Sequence, residues 1–369
     1  MRISSVTMFE TSTASLNRQQ SDFLKISQQI ASGRRVVNPS DDPQSASRAV
    51  GVDQAKAVTE QFRDSRVSAR NSLSQSESIM NSVTDAVISA KTLLVQASSD
   101  TLSDVDRESI ASELKGLYES LIGQANATDG NGRYLFGGYK DNAPPFVKAA
   151  DGTVQYQGDN NVREQRVDAS RLMPVNDNGI TIFKSVPSSA GYVAEATKQD
   201  GSPNSGNVTF RGPQVTDVND ADYGTDFRIT FTSDDTFNVE TFDGTNWTAV
   251  PAQTSVAYTG NIGDSAQQVS FAGVTIELEG TPVGGVNGDS ILVAQAGGEQ
   301  REPNLFRTME QAIRVLENPA DNPAKKADLR NTLNTSMRDL DNALDNVLTV
   351  RASAGARLNE LDVVDAVGS

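Results

Sequence analysis

Histidine and cysteine are both missing from the 369 residues. That excludes Ser-His-Asp and Cys-His triads, thiolate chemistry, imidazole bases and the usual zinc and iron ligands. Without cysteine the redox compartment is left open, because there is neither a disulfide framework nor a thiol to read. Aromatics are scarce at 6% and hydrophobic residues reach only 37%, a composition suited to long exposed helices rather than compact globules. Positive charge is short as well: 32 Lys and Arg stand against 48 Asp and Glu, a net charge of −16. A nucleic-acid partner needs a basic stripe to neutralise phosphates, and "GRR" (Gly33–Arg35) and "AKK" (Ala324–Lys326) are too short to be one. No apolar run approaches the roughly 18–20 residues of a membrane helix, so membrane insertion is not expected. The start, "MRISSVTMFETSTASL", has one Arg and no apolar h-region, so a cleaved signal peptide is not expected either. Carboxylates, Lys, Tyr and Ser/Thr remain, a narrow catalytic repertoire. No catalytic, cofactor or metal site is expected.

Glycines and aromatics mark the organisation. Before residue 120 the glycines are Gly33, Gly51 and Gly116, and after residue 300 they are Gly355 and Gly368; the other 23 of 28 lie between Gly123 and Gly298. Two aromatic-poor ends thus flank a Gly- and aromatic-rich middle.

The ends carry helical seams. From Ala55 a stripe runs Phe62, Ala69, Leu73, Ser76, Met80, Val83, Val87, Ala90, Leu94 and Ala97, with steps of four and three after the first two. That is the spacing of a helix packed along its length. A helix from Pro43 to Ser99 would be roughly 85 Å long. A second run, Ile110, Leu114, Leu117 and Leu121, opens at Ser103 with Asp106 three later, a capping-box pattern. Near the other end Leu333, Met337, Leu340, Leu344, Val347, Ala354, Leu358 and Leu361 repeat the alternation, broken by Arg351. A shorter amphipathic helix from Leu305 to Leu316 stops at Asn318-Pro319.

"NPSDDP" (Asn38–Pro43) precedes the first long helix and "NPADNP" (Asn318–Pro323) the last. The adjacent acids Asp41 and Asp42 could be an acid–base pair or metal ligands. The second copy, however, has Asn where the first has Asp, so the slot wants a hydrogen-bond acceptor. Asp42 and Asn322 are therefore expected as helix N-caps, with Pro43 and Pro323 at the first helical position.

The middle reads as β. "TFNVETF" and "NWTAV" flank Asp243-Gly244, a two-residue hairpin signal. "DFRITFTS", "QQVSFAGVTIELEG" and "DSILVAQA" add alternating segments. "GTVQYQG", "VREQRVD" and "GITIF" suggest a smaller β element beside the helices. Residues 201–300 hold 13 acidic residues and two Arg, an outward-facing, solvated module.

Two stretches invite a sharper reading. "GRYLFGGYK" (Gly132–Lys140) spaces its glycines like a phosphate loop, but Gly138 and Tyr139 stand where Lys and Ser/Thr are needed. It is expected instead as a helix-to-sheet corner, with Tyr134, Leu135 and Phe136 packing and Gly137-Gly138 taking unusual backbone angles. "DVNDADYGTD" (Asp217–Asp226) is oxygen-rich yet lacks the EF-hand order, so a solvated acidic turn is expected.

The first thirty residues are the most informative. Phe9, Leu16, Phe23 and Ile30 repeat every seven, with Ile26 added, among Ser, Thr, Gln and Asn. Burying so few side chains, at about 1.5–3 kcal/mol each, offsets little of the entropy of ordering the segment. The seam is expected to stay loose until it packs on other chains.

Taken together, these features resemble the flagellin superfamily and, within it, the FlgL family of hook–filament junction proteins. The resemblance rests on "MRIS" (Met1–Ser4), "ISQQIASGRRVVNPSDDP" (Ile26–Pro43), "GRYLFGG" (Gly132–Gly138), "YQGDNN" (Tyr156–Asn161) and "GDSILVAQA" (Gly288–Ala296). True flagellins look similar at both ends, but the proline-bracketed "NPSDDP" leans toward the junction family. Family members continue past this point with a further C-terminal helix, whereas this chain stops at Ser369. Either a truncated chain or an incomplete inner-tube layer is then expected.

The resemblance implies export through the flagellar type III apparatus without a cleaved signal, a dedicated chaperone, and a ring of copies between another hook-associated protein and flagellin. The expected fold is α+β: an elongated antiparallel, coiled-coil-like helical rod from both chain ends, with an inserted β-rich domain. Residues 1–40 are expected as an assembly and export segment, disordered in the monomer. Residues 41–185 with 301–369 would form the rod, and 186–300 the acidic outer domain. Ile3, Phe9, Leu16, Phe23, Ile26, Ile30, Leu358 and Leu361 are the expected assembly interface. The expected role is a non-enzymatic adaptor in the extracellular flagellum. The alternatives are a flagellin filament subunit, or a secreted protein that binds or cleaves glycans through residues 190–300.

Overall fold

In a computed structural model, residues 5–40, 42–261 and 265–368 are described. Ile3 and Asp41 lie outside them. The chain divides into two units, Met1–Arg66 and Val67–Ser369.

The first unit contains helix α1 (Ser5–Ser32) and the start of helix α2 (Pro43–Ala97). The α1 helix ends before Gly33, which takes the left-handed φ of 64° that a residue with Cβ adopts at a cost.

In the second unit the predicted seam is the core. From Ala69 to Ala97 every stripe position of α2, Ser76 included, is buried. Helix α3 (Asp104–Ala125) starts where the sequence signals it. The Ser103 hydroxyl accepts from the Asp106 N–H at 3.2 Å, and the Asp106 carboxylate accepts from the Ser103 N–H at 3.1 Å. Ile110, Leu114, Tyr118 and Leu121 join the α2 seam in one core.

Four short strands follow: β1 (Phe146–Lys148), β2 (Val154–Tyr156), β3 (Glu164–Asp168) and β4 (Arg171–Pro174), paired as two antiparallel hairpins. "GITIF", expected as β, is instead the one-and-a-half-turn helix α4 (Gly179–Phe183). Asn178 decides this, since its side chain accepts the Thr181 N–H at 2.9 Å and caps the turn.

The β-rich middle holds β5 (Tyr192–Ala196), β6 (Thr209–Val215), β7 (Phe227–Ser233), β8 (Thr236–Phe242), β9 (Trp247–Ala249), β10 (Val256–Ala257), β11 (Gln267–Phe271), β12 (Val274–Glu279) and β13 (Ser290–Gln295). One sheet runs β10-β8-β7-β13-β5 with β9 beside β8, and a second runs β11-β12-β6. Phe227, Phe231, Phe237, Ile276, Leu278 and Ile291 fill a separate core. The β8–β9 connection is not the two-residue hairpin the Asp-Gly pair predicts. Phe242 pairs with Trp247, leaving four residues in the loop. The Asp243 carboxylate accepts the Thr245 and Asn246 N–H groups at 2.9 and 2.7 Å, so a side-chain turn replaces the backbone one.

Helices α5 (Leu305–Glu317) and α6 (Pro323–Gly368) return to the first core, where Leu333, Leu340, Val347, Ala354 and Leu361 are buried. The fold is therefore α+β, with helices from both sides of the sequence enclosing a β-rich insertion. The α6 helix also holds the sheets: Thr335 donates to Ala194 O at 2.7 Å and Asn331 to Val208 O at 2.8 Å.

Candidate assembly surface

Helix α1 presents its repeat to solvent. Phe9 is 73% exposed, Leu16 65%, Phe23 71%, Ile30 77% and Ile26 54%. Seven residues are almost two helical turns, so the first four stand on one line along the helix. Between them Ser12 and Thr13 donate to the carbonyls of Met8 and Phe9. This back-bonding satisfies the hydroxyls but adds no packing. An amphipathic helix with its apolar line uncovered lacks the packing that gives most helices their stability.

The two C-terminal residues expected on this surface lie elsewhere. Leu361 is fully buried in the second unit's core and Leu358 is half-buried against it. The core has claimed the Leu361 side chain, which has no free surface to offer a partner.

Both proline-flanked residues accept backbone N–H groups at the start of their helices. Asp42 Oδ1 accepts the Ser45 N–H at 3.1 Å, and the Ser45 hydroxyl donates to Oδ2 at 2.6 Å. These bonds, with Arg35 at 3.2 Å, hold the Asp42 carboxyl below the usual carboxylate range. At α6 the Asn322 side chain accepts the Lys325 N–H at 2.9 Å.

The "YLFGG" segment lies between α3 and β1. Leu135 and Phe136 are fully buried and Tyr134 is half-buried. Phe136 joins Phe146, Phe183 and Phe306 in an aromatic node that ties this segment to β1, α4 and α5, with ring centroids 5.0–5.9 Å apart. Gly138 has a φ of 67°, and a Cβ there would sit 2.2 Å from Asp159 Oδ1.

Sequence reasoning missed what holds this segment. The Asp159 carboxylate accepts the Tyr139 N–H at 3.1 Å, and the Tyr156 hydroxyl donates to Phe136 O at 3.0 Å and Asp159 O at 2.8 Å. Burial pushes the Tyr156 phenol up to about 12, which keeps it a donor. Tyr156 and Asp159 belong to the quoted "YQGDNN", but nothing local in that motif names the distant groups they bind.

The acidic stretch 217–226 is mostly exposed turn, in which the Asp217 and Asp220 carboxylates accept the N–H groups of Asn219 and Asp222. Among the described residues no three acids gather into a metal site, and no helix is long and apolar enough to cross a membrane.

Residues 3–141 match the family described as the bacterial flagellin N-terminal helical region. The flagellar hook-associated protein 3 of Escherichia coli K12 is 30% identical over 370 residues, spanning all of this chain and 84% of that protein. This chain belongs to the hook-associated protein 3 family. Two solved structures of the family bear out the fold. Xanthomonas campestris FlgL is 27% identical with a TM-score of 0.69, covering 85% of this chain and 95% of that one. The flagellar junction protein FlgL from Legionella pneumophila is 25% identical with a TM-score of 0.67, covering 88% and 96%. Family membership places the chain among structural flagellar proteins.

Proposed function

We infer that this chain is a structural adaptor of the bacterial flagellum that joins hook to filament. The observation that carries the mechanism is the uncovered apolar line of α1, on a family member whose second unit fills its helical seams from Ala69 to Leu361. Covering Phe9, Leu16, Phe23, Ile26 and Ile30 against neighbouring chains contributes about 1.5–3 kcal/mol per side chain, free energy available only on assembly. Residues 1–40 thus act as the assembly segment, with α1 gaining its packing as it binds neighbouring chains. Residues 41–185 and 301–369 form the helical body, and the acidic residues 186–300 face outward.

The partners are flagellin on the filament side, another hook-associated protein on the hook side, and further copies of this chain in a ring. Before assembly an export chaperone shields the sticky segment, and the chain leaves the cell through the flagellar type III route. The role needs no catalysis.

Co-sedimentation with purified flagellar hooks, with and without the preceding hook-associated protein, tests this reading. Saturable binding that requires that partner and stops without filament growth is expected. Growth of long filaments from short seeds would make the chain a flagellin instead.

A further inference from the structure

A cleft of about 460 Å³ lies between helices α5 and α6 and the outward face of the six-stranded sheet, within the second unit. We propose that this cleft binds a short acidic oligosaccharide, a chain of carboxylate-bearing sugars.

Its lining is unusual for this molecule. Lys198, Arg228, Arg307 and Arg314 stand there against Glu195 and Asp328, in a chain whose net charge is −16. Residues 201–300 contain two arginines, and one of them, Arg228, is here. Three of the four cations are held in place by carboxylates. Arg228 donates twice to Glu240 Oε2 at 2.9 and 2.8 Å, Arg314 donates to both oxygens of Asp328, and Arg307 meets Glu195 at 3.2 Å. Each guanidinium has five N–H donors, so each keeps several unused.

Lys198 differs. It is half-buried in the cleft, and among the described residues it forms no ion pair. The half-buried Gln300 side-chain amide, on the same lining, likewise makes no hydrogen bond to the described residues. The charge of Lys198 reaches the exposed Asp200, but no salt bridge among the described residues holds the ammonium, so its N–H donors are open to an anionic ligand.

The remaining feature selects a sugar over a simple anion. Trp247, the sole tryptophan, lies on the lining with the Arg228 guanidinium 4.4 Å from its ring centroid. The guanidinium covers one face of the indole and Phe242 lies 5.3 Å from it at a tilt, so a sugar ring would pack on the exposed rest of this guanidinium–indole layer while amides and guanidiniums pair with hydroxyls and carboxylates. The volume falls within the usual range for small-ligand sites, roughly 300–1,000 Å³.

Trp247 also makes the test direct, because all indole fluorescence comes from the site. The full chain is titrated with tetragalacturonic acid, following both indole emission and heat. Saturable binding is expected, about tenfold or more weaker for Lys198→Ala and for Arg307→Ala, and retained by Lys198→Arg. Maltotetraose, the uncharged comparison, should not bind. Three results would each overturn the proposal: no saturable heat or emission change, equal binding of maltotetraose, or affinity untouched by both substitutions. Galacturonic acid monomer binding as tightly as the tetramer would reduce the site to one for simple anions and overturn it as well.

Discussion

Gly138 shows how much one missing Cβ can decide. Its left-handed φ and the Asp159 carboxylate 2.2 Å from where a Cβ would stand together predict that Gly138→Ala destabilises the second unit by about 2–4 kcal/mol. Gly116→Ala should do the reverse. That glycine is exposed in the middle of α3 with nothing within 4 Å, so alanine should stabilise by about 0.5–1 kcal/mol. Urea midpoints of the two variants check both signs. Asp42 gives a pH prediction. Its folded pKa lies below the unfolded value of about 3.9, so its stabilisation is present above that pH and is lost as pH falls through the folded value. Amide protection at Ser45 should therefore weaken in acid. Asp42→Asn should remove that pH dependence while keeping the acceptor, as Asn322 does at the other cap. Both caps were legible in the sequence because a cap is a local hydrogen bond. The Asp159 clamp was not, because its carboxylate acts on an amide twenty residues away.

At the scale of elements, long helices were legible and short ones were not. The four-and-three spacing gave α2 to within two residues at its end, since over many turns only one period fits. In "GITIF" five residues suit either a strand or a turn of helix, and the Asn178 cap tips the balance. The Asp243 loop was misread for a related reason, a side chain having replaced the backbone turn. Arg301 was invisible until elements were brought together. It is buried, with both terminal nitrogens on the Asp339 carboxylate of α6 at 2.9 and 2.7 Å and Nε 3.6 Å from Glu195 of β5. Arg301→Ala would strip the largely buried Asp339 of its arginine and leave Glu195 with Arg307 alone, an expected loss of about 3–5 kcal/mol in equilibrium unfolding. The loss should be accompanied by looser amides at the seam between α6 and the sheet.

At the scale of the whole molecule, stability and assembly use different residues. Leu73→Ala, in the filled seam, should cost about 2–5 kcal/mol of monomer stability. Phe23→Asp should leave the monomer's melting nearly unchanged, because the side chain is 71% exposed, yet abolish binding to hooks. Equal damage to both properties would mean that α1 packs within its own chain. The helical seams, the caps, the β character of the middle, the apolar repeat of α1 and the family can be read without a structure, because each is written in local spacing or in contiguous motifs. The burial of Leu361, the clamp of Asp159 and Tyr156 on the "YLFGG" segment, and the seating of β5 and β6 on α6 emerge only from the folded chain. Only it, too, assembled four cations and the single tryptophan around one cleft. Those arrangements join residues tens to hundreds of positions apart, and which distant side chain fills a given space is settled by packing, not by the pattern of its neighbours in sequence.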